Sequence, residues 1–428
     1  MVSEHLLKQL NEREKQGNKI RVAVAGTGFI GRGLINQIGI MKGIKVCAVA
    51  NRSIDKALTV INNINSKAEY KICNNSFDMQ VALRDGVIGV ASNPLLLAEA
   101  DVDIVVDCTG DPELGAALGL SAIGNKKHFI ANPEMDVTVG PVLNKMAKNV
   151  GVVYSGAEGD EPGVIMNLYR YVKMLGLDVI AVGKFKNYYD SHATPVSVKP
   201  WADKAEQNPL KICSFTDGSK MSIEMALVAN ATGLLPDVRG MHLPYGTLDT
   251  VTRILRKKEE GGILSSYGTI EIVRGVEPSS GVYVVATTTH PRIKKDLEYY
   301  KMGSGPNYLF YRPYHLCSFE MAIGVARAVI DNDSTIAPLS KPVADVVTVA
   351  KKDLKAGEIL DDIGGYTYYG LIDEAKTIKE ENILPIGLAP GARLIKNINK
   401  GTPITLDDVE LDRSSVLWKL RKLYNEMI

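Results

Sequence analysis

The sequence lacks the features that mark several large classes of protein. Its five cysteines are scattered and form no C-x-x-C pair, so neither a zinc site nor a disulfide framework is indicated, and a reducing compartment is expected. The 50 basic and 49 acidic residues leave a net charge of +1, which gives no electrostatic reason to expect nucleic acid or an anionic membrane as a partner. The sequence contains no run of about 18 apolar residues, so we expect no membrane span.

Motifs of common enzyme classes are missing as well. The sequence contains no G-x-S-x-G, no H-E-x-x-H and no Walker motif, which argues against hydrolases and nucleoside triphosphatases. The first residues, 1–19, are charged and amphipathic and lack the apolar core of a signal peptide. We therefore predict a helical arm at this end of the chain and a cytoplasmic protein.

The patterns that are present predict an α/β protein of several domains. A chain of 428 residues is longer than a domain with a single hydrophobic core usually is. The apolar runs IRVAVAG, IKVCAVAN, DIVVDCTG and KHFIANP alternate with helical patterns, which predicts a Rossmann domain with a parallel sheet over 20–153. We predict an α+β catalytic and dimerisation domain over 154–340, in which GTIEIVRG and GVYVVATTT form paired strands. A small β-rich domain with a helical tail is predicted over 343–428.

A glycine-rich turn follows the first of these strands. Gly26, Gly28 and Gly31 form G-x-G-x-x-G between a strand and a helix. In dinucleotide-binding domains the first glycine allows the tight turn, the second lets the backbone approach the pyrophosphate, and the third lets helix and strand pack closely. The alternative is a glycine-rich turn that binds nothing. With the strand and helix in place, the pattern favours a dinucleotide.

The end of the second strand favours NADP over NAD. NAD sites usually carry an acidic residue there, but this chain has Asn51, Arg52 and Ser53. An arginine beside small polar residues suits a 2′-phosphate, although a solvated arginine is the simpler alternative. The predicted contacts to NADPH are Gly26, Gly28, Phe29, Ile30, Gly31, Asn51, Arg52, Ser53, Thr109, Gly110 and Asn132.

An acidic loop and several lysines are the candidates for chemistry. The loop GAEGDEPG carries Glu158, Asp160 and Glu161, which repel one another unless solvent, a cation or a raised pKa relieves them. We predict Asp160 and Glu161 as ligands of a divalent metal such as Mg or Mn. The alternative is a solvated loop.

Two short stretches contribute the lysines. GKFKN places Lys184 and Lys186 on one face of a strand, and FTDGSK places Asp217 and Lys220 before a helix. A lysine in a partly closed site can hold an oxyanion, clamp a phosphate or transfer a proton. The predicted catalytic residues are Lys184, Lys186, Lys220, Asp217 and Glu158. Further candidates are His192, Arg239, His242, His290, Arg312 and His315, for which a structural role is the alternative.

Several longer stretches resemble a known family. GAEGDEPGVIMNLYRYVKMLG, GKFKN, FTDGSKMSIEMALVANATG, RPYHLCSFE and DDIGGYTYYG together resemble oxidoreductases with a homoserine-dehydrogenase-like body and a C-terminal SAF domain. Some members are called DXR-like, or DRL. The resemblance implies NADPH-dependent conversion of 1-deoxy-D-xylulose 5-phosphate to 2-C-methyl-D-erythritol 4-phosphate, a step of isoprenoid precursor synthesis. LPIGLAPGARLIKNINKGTPITLDDVEL resembles the SAF fold.

The homoserine dehydrogenases themselves are a poorer match. Their first catalytic lysine follows an "AN" turn, where this chain has Pro133, and their second follows an aspartate by four residues, whereas Asp217 and Lys220 are three apart. A dehydrogenase of another small hydroxy acid, polyol or sugar derivative remains an alternative, as does a non-catalytic NADP-binding sensor. We expect a small phosphorylated or polyhydroxylated substrate and a homo-oligomer, dimer or tetramer.

Overall fold

The computed structural model describes residues 4–64 and 68–428, so residues 1–3 of the predicted arm lie outside the described part. The chain forms two compact units. Unit 1 comprises Met1–Asp160, Leu316–Ser340 and Arg413–Met427. Unit 2 comprises Glu161–His315 and Lys341–Asp412, with the last residue, Ile428.

The secondary structure alternates along the chain, as the sequence predicts. The strands are β1 Ile20–Ala25, β2 Ile44–Ala50, β3 Tyr70–Ile72, β4 Ile88–Ala91, β5 Ile104–Asp107, β6 His128–Ile130, β7 Tyr154–Ser155, β8 Asp178–Lys186, β9 Leu235–Pro236, β10 Thr269–Arg274, β11 Val282–Thr287, β12 Asn307–Arg312, β13 Ala344–Ala350, β14 Tyr368–Glu374, β15 Arg393–Leu394 and β16 Val409–Glu410. The helices are α1 Glu4–Gln16, α2 Phe29–Ile40, α3 Ile54–Ile64, α4 Ser76–Arg84, α5 Leu96–Glu99, α6 Pro112–Gly124, α7 Pro133–Val150, α8 Glu161–Met174, α9 Lys199–Lys204, α10 Pro209–Thr216, α11 Ser219–Thr232, α12 Val251–Ile254, α13 Pro291–Tyr299, α14 Cys317–Ala326, α15 Ala375–Glu380 and α16 Val416–Met427. Within the described residues, no helix is long and apolar enough to cross a membrane.

Unit 1 contains the predicted parallel sheet. Its order is β3-β4-β2-β1-β5-β6-β7, and all of its strand pairs are parallel. The apolar runs that predict β1, β2, β5 and β6 are almost wholly buried, as parallel strands covered on both faces require. β3, β4 and β7 are only two to four residues long, so an apolar sequence pattern is too short to predict them as strands.

Unit 1 is completed by segments from far along the chain, which the predicted domain boundaries assign elsewhere. Residues of α14 share a core with β1 and α2, and an added Cβ at Gly33 of α2 would lie 2.4 Å from Ser318 Oγ, so glycine allows this close approach. The predicted tail helix, α16, begins at the Glu113 carboxylate, which accepts the backbone N–H groups of Val416 and Leu417 at 2.8 and 3.0 Å. Glu113 thus caps a helix that follows it by some 300 residues.

Unit 2 is built on a mixed sheet in the order β12-β11-β8-β10-β9. β8 is parallel to β10 and antiparallel to β11, so it lies between the two strands that the sequence analysis pairs with each other. That prediction of adjacency is wrong, because strands close in sequence need not be hydrogen-bonded neighbours when an earlier strand inserts between them. One face of the sheet packs against α12 through Val251, Leu255 and Val273.

The small β-rich segment belongs to unit 2 and is joined to it through α11. β13 and β14 form an antiparallel pair, and Asn230 Oδ1 on α11 accepts the backbone N–H groups of Val343 and Ala344. Near the other end of α11, Ser219 Oγ accepts the N–H of Gly370. The α11 helix therefore carries this segment on one side, and on the other it presents polar residues to β8.

Candidate functional site

The glycine turn of unit 1 has the geometry that the motif predicts. Gly26 has a φ of +91°, and an added Cβ would lie 2.8 Å from the carbonyl oxygen of Cys108. An added Cβ at Gly31 would lie 1.9 Å from the carbonyl oxygen of Gly26. These two glycines are therefore required by the protein's own packing. Gly28 differs, because nothing lies within 4 Å of an added Cβ.

The open space beside Gly28 fits a cofactor's phosphates. Gly28 is the N-cap of α2 and supplies no side-chain cap, so the first backbone N–H groups of the helix are left for a ligand. Thr27 Oγ1 is buried and, within the described part of the chain, has no hydrogen-bond partner. A dinucleotide pyrophosphate would satisfy both, and the nicotinamide that it carries would supply the hydride.

The other predicted cofactor contacts surround this turn in unit 1. Asn51 Oδ1 accepts the N–H of Thr27 at 3.4 Å, and its Nδ2 donates to the carbonyl of Ser53 at 2.8 Å. The Arg52 side chain is exposed. Thr109, which precedes Gly110, donates its hydroxyl to the buried Asp107, whose pKa burial raises to about 6. Asn132 caps α7 and also donates to Asp107, so both ends of its amide are engaged within unit 1.

Gly28→Val tests the phosphate contact. The variant should fold normally, since the added side chain enters open space, but it should bind NADPH at least about tenfold more weakly because valine occupies the place of the pyrophosphate. Fluorescence titration measures the binding. Gly124→Val, which also adds a side chain where no atom lies within 4 Å, is the matched control and should bind normally. Unchanged binding in Gly28→Val would remove the turn from the cofactor site.

A cluster of charged side chains lies in the interior of unit 2. Lys184 of β8 is buried, and its Nζ lies 2.5 Å from Glu161 Oε2 at the start of α8. It also forms an ion pair with Glu224 of α11. Two helices that pack on β8 thus each contribute one carboxylate that contacts the same ammonium group. We call Glu161, Lys184 and Glu224 the carboxylate–lysine cluster.

Two further groups contact the cluster from its edge. Lys220, one turn before Glu224 on α11, places its Nζ 3.6 Å from Glu224 Oε1. His315 Nδ1 lies 2.9 Å from the carbonyl oxygen of Ser280 and 3.9 Å from Glu161 Oε1. Each carboxylate therefore contacts Lys184 through one oxygen and a second basic group through the other.

The two carboxyl groups differ in proton affinity. Burial and the charge of Glu224 raise the pKa of Glu161. Burial also opposes ionisation of Glu224, but Lys184 and Lys220 outweigh it and lower the pKa of Glu224 to about 2. Burial works against the ammonium form of Lys184 as well, yet its two carboxylate partners raise its pKa. Glu161 is therefore the carboxyl that can hold and release a proton, beside a carboxylate that stays ionised.

Lys186 lies on the same sheet face, two residues beyond Lys184. Within the described part of the chain it has no ion-pair partner. Burial and the charge of Lys184 lower its pKa. The structure thus brings together Lys184, Lys186 and Lys220, three of the five residues predicted as catalytic.

Glu158 and Asp217, the other two residues predicted as catalytic, have structural partners. Glu158, in unit 1, forms an ion pair with Arg327 at 3.1 Å and accepts the hydroxyl of Thr335. Asp217, in unit 2, is buried against Lys351 at 2.7 Å and accepts the N–H of Ser219. These contacts favour a role in holding the fold for both carboxylates.

Most of the other candidate histidines and arginines are engaged in local structure. His242 pairs with Asp237 at 2.8 Å, and His290 caps α13. Arg239 bridges Asp373 and Glu381.

Glu224 is a member of the cluster that the sequence motifs do not reveal. The available signal was its position four residues after Lys220, which places the two on one helix face.

The predicted metal ligand Glu161 already has an internal cation. Its Oε2, like that of Glu224, is paired with the Lys184 ammonium, which occupies the position between the two carboxylates. A divalent ion that used both carboxylates would have to displace this lysine. The arrangement favours the lysine as the resident cation, and metal ligation by Asp160 and Glu161 stays a prediction.

Two regions of the chain match known protein families. Residues 159–321, which hold the carboxylate–lysine cluster, match the family described as oxidoreductase DRL, catalytic domain. Residues 345–410 match the SAF domain family. The chain is therefore similar to the DRL oxidoreductases over the first of these ranges and to SAF domains over the second. The predicted fold, the SAF domain and the prediction of an NAD(P)-dependent oxidoreductase are confirmed.

Matches to individual proteins are weak. No curated protein matches the chain. A probable dehydrogenase from Thermotoga maritima is similar at 10% identity with a TM-score of 0.41, covering 74% of this chain and 90% of that one. A scyllo-inositol dehydrogenase from Lactobacillus casei is similar at 12% identity with a TM-score of 0.39, covering 69% and 76%. Similarities this low carry no information on substrate.

Proposed function

We propose that this chain is an NADPH-dependent reductoisomerase of the DRL type that converts 1-deoxy-D-xylulose 5-phosphate to 2-C-methyl-D-erythritol 4-phosphate. The carbon skeleton of the ketose phosphate rearranges to an aldehyde, which then accepts a hydride from NADPH and a proton. The observation that carries the proposal is the carboxylate–lysine cluster, with Lys220 and Lys186 beside it, inside the region that matches the DRL catalytic domain.

The cluster supplies what such a reaction needs. Rearrangement and reduction both place negative charge on a substrate oxygen, which a lysine ammonium stabilises. Lys220 suits this role because its Nζ lies at the edge of the cluster. Glu161, whose pKa is raised, can donate or accept a proton beside Glu224, which stays ionised. Lys184 holds both carboxylates in place and positions them for this exchange.

The proposal is tested by assaying NADPH oxidation with 1-deoxy-D-xylulose 5-phosphate and identifying the product by NMR. We expect stoichiometric formation of 2-C-methyl-D-erythritol 4-phosphate and NADP⁺. NADPH oxidation with a simple reduction of the ketone, without rearrangement, would favour a plain dehydrogenase. Absence of turnover with this substrate, combined with turnover of a polyol or hydroxy acid, would reject the reductoisomerase.

The cofactor preference has its own test. Arg52→Ala should raise the KM for NADPH by about tenfold or more and leave the KM for NADH within about twofold, because only NADPH carries the 2′-phosphate that the exposed guanidinium would bind. Steady-state kinetics with each cofactor provide the comparison. Arg292→Met, which removes another exposed arginine, should change neither value. Equal changes for the two cofactors would contradict the proposed contact.

A further inference from the structure

Arg274 lies at the carboxyl end of β10, next to the proposed catalytic groups. In the sheet register it is the partner of Lys186 on β8, just as Ile272 is the partner of Lys184. Paired residues of neighbouring strands share a face, so Arg274, Lys186 and Lys184 all lie on the face that carries the cluster. No sequence motif selects Arg274.

The guanidinium of Arg274 is fixed in place but lacks an anion. It stacks on the Tyr245 ring, with Cζ 4.4 Å from the ring centroid, and Nη2 donates to the Tyr245 hydroxyl at 2.6 Å. On its other side the Tyr189 ring centroid is 5.6 Å away. Nε is buried without a hydrogen-bond partner, and within the described part of the chain no carboxylate pairs with this arginine.

Tyr189 connects Arg274 to the helix of the cluster. Its ring lies against Gly218, where an added Cβ would be 3.0 Å from Tyr189 Cε2. Gly218 directly precedes α11, the helix that carries Lys220 and Glu224. One aromatic ring therefore separates the guanidinium from the start of that helix.

Two cations of this face have no anionic partner of their own. Lys186 and Arg274 are register partners, and neither forms an ion pair with a carboxylate within the described part of the chain, whereas Lys184 is paired with Glu161 and Glu224. Asp217 is not available to them, because it is paired with Lys351. Two adjacent cations in partly buried surroundings favour an anionic ligand such as a phosphate monoester.

Asn187, which follows the last residue of β8, offers an acceptor at the same end of the strand. Its Nδ2 donates to Glu277 Oε1, which fixes the orientation of the amide and identifies Oδ1 as the other end. Oδ1 is buried and, among the described residues, has no donor. A substrate hydroxyl could supply that donor. A phosphate and a hydroxyl on one small molecule are the features of a sugar phosphate.

We propose that Arg274 and Lys186 bind the phosphate group of a sugar phosphate substrate. The inference rests on the proposed function for the identity of the substrate, but not for the existence of the anion site. Lys186, predicted from the sequence as catalytic, is accordingly a phosphate ligand. Arg274 contributes the planar donor group that phosphate oxygens favour, and the stacked tyrosines hold that plane in position.

Binding of inorganic phosphate to the full-length protein, measured by isothermal titration calorimetry, tests this site without turnover. We expect saturable binding that Arg274→Met and Lys186→Met each weaken by about tenfold or more. Arg292→Met is the matched control and should bind like the parent. Arg274→Lys keeps the charge and should lose less affinity than Arg274→Met, provided that circular dichroism shows both variants folded.

Three results would overturn the site. The parent protein could show no saturable phosphate binding, the Arg274 and Lys186 variants could bind like the parent, or Arg52→Ala alone could abolish binding, which would place the phosphate at the cofactor site. The proposed function fails separately. Phosphate binding through Arg274 without turnover of 1-deoxy-D-xylulose 5-phosphate would leave the site standing and reject the reaction. Turnover of 1-deoxy-D-xylulose 5-phosphate, combined with the same KM for this substrate in Arg274→Met as in the parent, would support the reaction and reject the phosphate site.

Discussion

Lys184→Met should destabilise the protein by about 3–5 kcal/mol, the cost of breaking a buried ion pair and leaving its partner charge uncompensated. The Lys184 side chain is only 4% exposed and contacts two carboxylates that are nearly as buried. Methionine fills similar volume but neutralises neither. We expect a lower urea midpoint of unfolding, followed by far-UV circular dichroism. Lys199→Met, which removes an exposed lysine paired with Asp203, should change stability by less than about 1 kcal/mol.

A second substitution separates charge from packing. In Lys184→Met/Glu161→Gln the uncompensated carboxylate of Glu161 is gone, and Glu224 still has Lys220 nearby. The double variant should therefore recover part of the lost stability. If it is no more stable than Lys184→Met, packing rather than charge explains the loss. A Lys184→Met protein as stable as the parent would show that the ion pairs do not stabilise the fold.

The effect of Lys184→Met should also depend on pH. Burial raises the pKa of Glu161, so the folded state binds this proton more readily than the unfolded state does. Protonation of Glu161 thus favours folding below its ordinary pKa, and this contribution is lost as the pH rises through the raised pKa. Without Lys184 the carboxylate form is less favourable still. The destabilisation should be larger at neutral pH than at mildly acidic pH, as urea unfolding at both values would show.

The sequence predicts the Rossmann unit better than the catalytic one, for physical reasons. A parallel sheet covered on both faces needs continuous apolar strands, and Ile20–Ala25 and Ile104–Asp107 display them directly. The glycine turn is set by local backbone geometry, so Gly26 and Gly31 can be recognised from a short motif. The order of the strands in unit 2 depends on pairing between distant segments, and no local pattern reveals that β8 separates β10 from β11.

The candidate site follows the same division. Lys184, Lys186 and Lys220 were identified because they belong to short family-like stretches of the sequence. The residues that lie beside these lysines could not be predicted. The packing of α11 brings Glu224 to Lys184, and the register of β10 places Arg274 beside Lys186, and neither is visible in a local pattern. Asp217 is likewise a predicted catalytic residue whose partner lies far away in sequence, because its carboxylate pairs with Lys351, 134 residues further along the chain.

Lys220→Met should lower kcat by about 10²-fold or more while NADPH binding persists. The Lys220 side chain is 14% exposed, against 4% for Lys184, so it can meet a substrate oxygen. Its loss should be tolerated by the fold, because Glu224 keeps its ion pair with Lys184. Lys220 is therefore a cleaner test of the chemistry than Lys184, whose substitution also costs stability. Steady-state kinetics give kcat, and fluorescence titration gives the affinity for NADPH.

The comparison with Lys220→Arg identifies what the ammonium does. Arginine keeps the positive charge but does not release a proton near neutral pH. If Lys220 only stabilises negative charge on the substrate oxygen, Lys220→Arg should recover much of the activity that methionine loses. If it transfers the proton, both variants should be slow. Turnover of Lys220→Met within a few-fold of the parent would make this lysine a bystander, and the proton would then have to come from Glu161, whose raised pKa and contact with Lys184 leave it the remaining donor of the cluster.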